Sequence, residues 1–122
     1  MRVLAFDPGY ERLGIAVIEK DSPAGGGKER LLFSECLRTS KDMPFEQRLD
    51  AVASAAMDLI ATWKPAMVAL EKVYFQKNTK TAMQVAQVVG VLTQTAAAAG
   101  LEVKTYTPSQ VKVAVTEYWG MQ

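Results

Sequence analysis

Two unbroken apolar runs, each ending at an acidic residue, most constrain how this chain of 122 residues can fold. Residues 66–70 are all apolar and are followed by Glu71, a pattern typical of a strand buried on both faces, as in a parallel sheet. Residues 3–6 are also apolar and lead into Asp7-Pro8-Gly9, which indicates a strand closed by a turn. The two runs therefore predict a sheet with one acid at the end of each of two strands.

Three further strands are expected at 13–18, 30–39 and 103–106, and the first of these lies close enough to residues 3–6 to form an antiparallel hairpin. Helical spacing of apolar residues runs from Pro44 to Lys64 and over residues 78–99, and Pro65 and Gly100 end these two segments.

A third helix is expected to open at Thr107-Pro108 and to run through Val115. The resulting order, β-β-β-α-β-α-β-α, predicts an α/β fold of the ribonuclease H type, with a mixed five-stranded sheet flanked by helices. The length predicts a single domain over residues 1–122.

Composition excludes several classes of protein. With 49% hydrophobic and 22% charged residues, the chain is not intrinsically disordered. No apolar run reaches the ~18 residues of a membrane span, so no membrane partner is expected. The absence of histidine excludes Ser-His-Asp and Cys-His catalysis. The single cysteine excludes an internal disulfide and a cysteine zinc site, and a reducing cytoplasm is the expected location.

Asp7 and Glu71 are the candidate catalytic and metal-binding residues. If their strands are parallel neighbours, the two carboxylates lie side by side and repel each other, and a divalent cation relieves that repulsion. Oxygen-only ligands suit Mg²⁺ or Mn²⁺, and such ions support phosphodiester hydrolysis. The alternative is structural, with Asp7 capping the following turn and Glu71 lying in solvent.

The segment 72–80 interleaves lysines with aromatic residues. Lysines neutralise phosphates, and aromatic faces stack on bases that are already unstacked. The candidate DNA-binding residues here are Tyr74, Phe75, Lys77, Asn78 and Lys80. The alternatives are that the two aromatic side chains close the core beside the helix and that the lysines form a solvated surface.

Four blocks of sequence, taken in order, resemble one family. They are Asp7-Pro8-Gly9 with Gly14, the run Leu70–Asn78, the helix positions Thr81-Ala82, Gln87 and Gly90-Val91, and the run Tyr106–Lys112. Together they resemble the RuvC-type Holliday junction resolvases, which are crossover junction endodeoxyribonucleases, and the resemblance covers nearly all of the chain.

The resemblance implies a homodimer that cuts four-way DNA junctions with Mg²⁺ during recombination and repair, with a branch-migration motor complex as a further partner. By it, Asp7 and Glu71 are metal ligands, Tyr74 wedges at the junction crossover with help from Phe75, and Lys77 and Lys112 touch the DNA backbone. The family also places two more carboxylates in a C-terminal helix. The chain is therefore expected to lack the C-terminal part and to cleave little DNA by itself.

Two other functions are alternatives for this sequence. A catalytically inactive junction-binding or dimerisation module would share the fold and differ only in cleavage. An actin-like phosphotransferase also opens with a strand ending in Asp-x-Gly, but it needs two such domains to close over a nucleotide, and 122 residues are too few for both.

The helix over residues 78–99 is the predicted dimer interface. No residue from Thr81 to Leu101 is charged, and the apolar residues cover most of the helix circumference rather than one stripe. A partner subunit would explain a second uncharged face, because a twofold axis would set the helix against its own copy. The alternative is that this face lies under another part of the same chain.

Overall fold

The computed structural model describes residues 1–20, 29–71 and 79–106. Its elements follow one another as β1 (Arg2–Pro8), β2 (Arg12–Lys20), β3 (Glu29–Arg38), α1 (Phe45–Trp63), β4 (Met67–Glu71), α2 (Thr79–Ala98) and β5 (Glu102–Tyr106). Residues 21–28 and the predicted helix from Thr107 to Val115 lie outside the described residues.

The five strands form one mixed sheet in the order β3-β2-β1-β4-β5. Strands β1, β2 and β3 are antiparallel neighbours, whereas β4 is parallel to both β1 and β5. The predicted hairpin and the mixed five-stranded sheet are therefore confirmed, and the two acid-bearing strands are parallel neighbours. Strand β4 is buried from Met67 to Leu70, as a strand covered on both faces requires.

One face of the sheet packs against the two helices. The fully buried side chains Leu4, Phe6 and Leu70 belong to a cluster that also contains Val52 of α1 and Leu92 of α2. Since strand side chains alternate between faces, the intervening residues Val3, Ala5, Met67 and Ala69 form a separate cluster on the opposite face.

The helix ends agree with the sequence signals to within one residue. Pro44 is the N-cap of α1 rather than a residue of its first turn, and it makes no side-chain capping bond. Lys64 ends that helix in the left-handed conformation, directly before Pro65. Gly100, at φ 78°, follows α2, and the Leu101 N–H donates to the Ala96 carbonyl at 3.0 Å, which closes the end of the helix.

Neither α1 nor α2 is long and apolar enough to cross a membrane, and the described part of the chain contains no other helix.

Candidate active site

The register of the sheet sets the two candidate acids beside each other. Phe6 lies opposite Leu70 across the parallel β1–β4 pair, so Asp7 and Glu71 are the next residues along two adjacent strands. Asp7 continues the side-chain alternation of Val3 and Ala5, and Glu71 that of Met67 and Ala69. Both carboxylates therefore lie at one edge of the sheet, on the face opposite the helices, and both are half-buried.

A tight turn follows Asp7 and begins strand β2. The Gly9 N–H donates to the Arg12 carbonyl at 2.8 Å, and a Cβ at Gly9 would lie only 3.0 Å from that oxygen. The turn thus closes through the backbone, and a side chain at position 9 would press against that oxygen. Among the described residues the Asp7 carboxylate makes no hydrogen bond or ion pair, so it does not cap the turn.

The donor set fits a divalent metal ion in chemistry and placement. Two carboxylates on adjacent parallel strands supply only oxygen ligands, which Mg²⁺ and Mn²⁺ prefer. Within residues 1–20, 29–71 and 79–106, no group of three or more His, Cys, Asp or Glu residues could hold a metal. The carboxylates that the described residues bring to this position are those of Asp7 and Glu71.

Tyr106 brings an aromatic ring to the same face of the sheet. It lies opposite Glu71 across β4 and β5, and its side chain packs against the cluster that contains Val3, Ala5 and Ala69. Sequence analysis placed Tyr106 in one of the family-like blocks but did not place it beside the acids.

Arg48 of α1 holds the turn after Asp7 to the loop before the helix. It is only 5% exposed, and its Nε–H donates to Thr39 Oγ1 at 3.1 Å while its Nη2 donates to the Tyr10 carbonyl. Its guanidinium carbon lies 5.2 Å and 5.4 Å from the ring centroids of Tyr10 and Phe45. Sequence analysis missed this residue, and its one signal was an arginine within an otherwise apolar helical stripe.

Of the predicted DNA-binding residues, only Lys80 lies within the described part of the chain. It is exposed near the start of α2, the helix that follows β4 and the acid at its end. Tyr74, Phe75, Lys77, Asn78 and Lys112 lie outside the described residues. Sequence analysis also missed two exposed arginines, Arg12 and Arg38, at the same edge of the sheet as the acids.

Comparison with known proteins defines first the fold class and then the family. The solved structure of Thermus thermophilus RuvC in complex with a Holliday junction substrate superposes with a TM-score of 0.83 at 30% identity, covering 95% of this chain and 72% of that one. The yeast mitochondrial Holliday junction resolvase Ydc2 shares the fold, with a TM-score of 0.69 at 13% identity over 98% of this chain and 54% of its own. The chain thus has the ribonuclease H-like fold of these resolvases, as predicted.

The sequence comparisons identify the family. The model of the family described as crossover junction endodeoxyribonuclease RuvC matches residues 3–120. The RuvC of Leifsonia xyli is 43% identical over 120 residues, which span 97% of this chain and 55% of that protein. The RuvC of Brevibacillus brevis is 37% identical over 122 residues, which span all of this chain and 71% of that protein.

The chain belongs to the RuvC family of crossover junction endodeoxyribonucleases. Nucleases of this family are metal-dependent in general. The chain spans 55% to 61% of the length of the relatives from Leifsonia xyli and Mycobacterium ulcerans.

Proposed function

We propose that this chain acts in the resolution of four-way DNA junctions as a metal-dependent endonuclease. The observation that carries the proposal is the side-by-side placement of Asp7 and Glu71 on one face of adjacent parallel strands. The substrate class follows from a relative of the same fold, Thermus thermophilus RuvC, which is bound to a Holliday junction. We further propose that residues 1–122 form one domain and act in the cytoplasm during recombination and repair.

Asp7 and Glu71 would hold Mg²⁺ or Mn²⁺. When bound, the ion would activate a water molecule and stabilise the oxygen that leaves the phosphodiester. Both carboxylates follow buried strand segments, because residues 3–6 and 67–70 are each only 0–9% exposed. Because these strands are packed on the helix face, the carboxylates are held at a separation set by the sheet rather than by mobile loops.

DNA recognition is proposed for the segment that follows Glu71. Tyr74, with Phe75, would stack on bases that the crossover leaves unstacked, while Lys77, Asn78 and Lys80 would contact the nearby backbone. Lys112 would contact the backbone as well. The exposed position of Lys80, near the start of the helix after β4, supports DNA approaching this edge of the sheet.

Dimerisation is proposed through the helix over residues 78–99, of which the structure describes α2. Beyond Lys80 near its start, the exposed face of α2 is uncharged and consists mainly of small side chains, among them Ala86, Gly90 and Ala97, with Met83 at 60% exposure. Val89 and Val91, which sequence analysis counted toward a second apolar face, pack on the core of their own chain. The proposed interface is therefore narrower than the sequence predicts. A branch-migration motor complex is the further proposed partner.

Metal binding and junction binding test the proposal. Titration with Mn²⁺ should broaden the backbone amide signals of residues near Asp7 and Glu71 at about millimolar concentration, because two carboxylates make a loose site. Asp7→Asn and Glu71→Gln should each abolish the response, whereas Asp58→Asn, a change at an exposed acid on α1, should leave it unchanged. A response centred elsewhere would overturn the metal site.

Cleavage is measured on a labelled four-way junction with Mg²⁺ or Mn²⁺. We expect slow cleavage at most from this chain alone, since in-line attack uses two positioned metal ions and the described residues offer two carboxylates. Binding that prefers the junction over linear duplex supports the proposal. Equal affinity for the two DNA forms would contradict it, and junction binding with no cleavage at any enzyme concentration would favour a non-catalytic binding module.

A further inference from the structure

Two arginines lie opposite each other at the edge of the sheet that carries the acids. Arg12 is the first residue of β2 and Arg38 is the last residue of β3, and the register pairs them directly. Both are exposed. Since β1, β2 and β3 are successive antiparallel neighbours, the end of β1, the start of β2 and the end of β3 meet at one edge.

The arginines also share a sheet face with the carboxylates. Asp7 lies opposite Gly14 in the antiparallel β1–β2 pair, and residues directly opposite each other in such a pair are on the same face. Arg12 precedes Gly14 by two residues, so it lies on that face too. Across the strands β3, β2, β1 and β4, the residues at this edge and on this face are therefore Arg38, Arg12, Asp7 and Glu71.

Neither arginine is neutralised by a direct contact within the described part of the chain. Like charges directly opposite each other on neighbouring strands are destabilising, and among the described residues neither Arg12 nor Arg38 makes a side-chain hydrogen bond or an ion pair.

The opposite edge of the same sheet is arranged differently. There Arg2 lies 3.4 Å from Glu19, and Lys20 lies 3.6 Å from Glu29. Basic residues at that edge contact acids of the chain, whereas the arginine pair beside the carboxylates has no such contact among the described residues.

We infer that Arg12 and Arg38 bind the phosphodiester backbone of the DNA strand that passes over Asp7 and Glu71. The inference rests on the proposed function, because it needs a DNA strand at the carboxylates. Neighbouring strands are about 5 Å apart, so the two arginines extend the site by about 10 Å from β1. That span places them at phosphates one or two positions away from the phosphodiester at the acids.

The side-chain chemistry of the arginine pair is suited to binding phosphate. A guanidinium presents a planar fork of N–H donors that matches two oxygens of one phosphate. Phosphate contacts carry no sequence information but fix the register of the DNA on the protein. The arginine pair would thus set which phosphodiester reaches the acids, without choosing a base sequence.

Salt dependence of DNA binding tests the pair. Each phosphate contact contributes about 0.9 to the slope of log affinity against log salt, so the affinity of the wild type should fall about twelve-fold more than that of Arg12→Gln/Arg38→Gln between 50 and 200 mM salt. Lys64→Gln removes one exposed positive charge at the opposite edge and should leave the slope unchanged. Arg12→Lys/Arg38→Lys should restore the slope while binding more weakly than the wild type.

Thermal unfolding separates this role from a structural one. Removing either arginine relieves the like-charge pair, so the unfolding midpoint of the free protein should stay the same or rise. If Arg12→Gln and Arg38→Gln, made singly, both bound DNA more weakly and both had a lower unfolding midpoint, the inference would be overturned.

The position of the contact can be mapped with the single cysteine of the chain. Cys36 is exposed, lies opposite Gly14, and precedes Arg38 by two residues on the same face. A photo-crosslinker attached to Cys36 should attach to DNA within a few nucleotides of the cut. Replacing single phosphates there by neutral methylphosphonates should weaken binding of the wild type but not of Arg12→Gln/Arg38→Gln.

Failure of the inference and failure of the proposed function give different results. A wild type that prefers junctions but shows the same salt slope as the double variant overturns the arginine site and leaves the function standing. If no junction preference is found, a short single-stranded oligonucleotide should still shift the amide signals of Arg12 and Arg38. The absence of that shift would overturn the inference independently.

Discussion

Replacing Arg48 by methionine should destabilise the protein more than almost any other change of a charged residue. Arg48 is buried, with 5% of its surface exposed, and it donates hydrogen bonds to Thr39 Oγ1 and to the Tyr10 carbonyl. Methionine replaces the unbranched stem of the arginine but is shorter and supplies no donor. The substitution therefore leaves the Tyr10 carbonyl without its partner and separates the turn after Asp7 from α1.

The magnitude follows from these contacts. Each hydrogen bond from a charged donor contributes about 1.5–3 kcal/mol, and the contacts with the rings of Tyr10 and Phe45 add about 0.5–1 kcal/mol each at half-exposed sites. The substitution also removes the cost of burying a charged guanidinium, and this offsets part of the loss. We expect a net loss of about 3 kcal/mol, which at about 4 °C per kcal/mol lowers the unfolding midpoint by about 12 °C.

Urea denaturation of three variants checks this reasoning. Arg48→Met should lose about 3 kcal/mol in the free energy of unfolding, and Thr39→Val, which removes one acceptor, should lose about 1.5 kcal/mol. Tyr10→Phe is the matched control, because Arg48 contacts the carbonyl and ring of Tyr10 rather than its hydroxyl. A loss below about 1 kcal/mol in Arg48→Met would refute the argument that this arginine holds the turn.

Four further changes have defined outcomes. Ala86→Glu puts a charge on the exposed face of α2 and should convert the proposed dimer to monomer in sedimentation. A Cβ at position 90 would meet nothing within 4 Å among the described residues, so Gly90→Ala should raise stability by up to ~1 kcal/mol unless it faces a closely packed partner helix. Gly9→Ala places a Cβ 3.0 Å from the Arg12 carbonyl and should lower the unfolding midpoint measurably in a thermal melt. Tyr74→Ala should weaken junction binding more than duplex binding in a mobility-shift titration, and equal losses would remove the wedge role.

The sheet was predictable because its strands are marked by short-range patterns. The apolar runs before Asp7 and Glu71 are continuous because β1 and β4 are central strands covered on both faces. Proline and glycine mark the ends of α1 and α2 for reasons of backbone geometry that act within a few residues. The closeness of Asp7 and Glu71 depends on their strands being parallel neighbours, because parallel strands end at the same edge of the sheet.

The rest of the site depends on register, which no local pattern reveals. Arg12 and Arg38 are 26 positions apart in the chain, and their pairing depends on a bulge between Val17 and Ile18 that shifts the β2–β3 register. Arg48 stands in a helix that otherwise reads as amphipathic, and its partners, Thr39 and Tyr10, come from two separate loops. Such contacts follow from the packing of α1 on the sheet rather than from spacing along the sequence.

The alternation of strand β1 separates stability from chemistry in adjacent residues, and this separation can be tested. Phe6 is 1% exposed and packs in the cluster beneath the helices, whereas Asp7 lies on the other face and has no hydrogen-bond partner among the described residues. Phe6→Ala should therefore cost about 3–5 kcal/mol of unfolding free energy. Asp7→Asn should cost nothing, or stabilise the fold slightly, because it removes the repulsion between two neighbouring carboxylates. Urea denaturation measures both, and Mn²⁺ titration of Asp7→Asn should show a folded protein that no longer binds the ion. If Asp7→Asn lost as much unfolding free energy as Phe6→Ala, Asp7 would be a structural residue, and the proposed metal site would lose its main support.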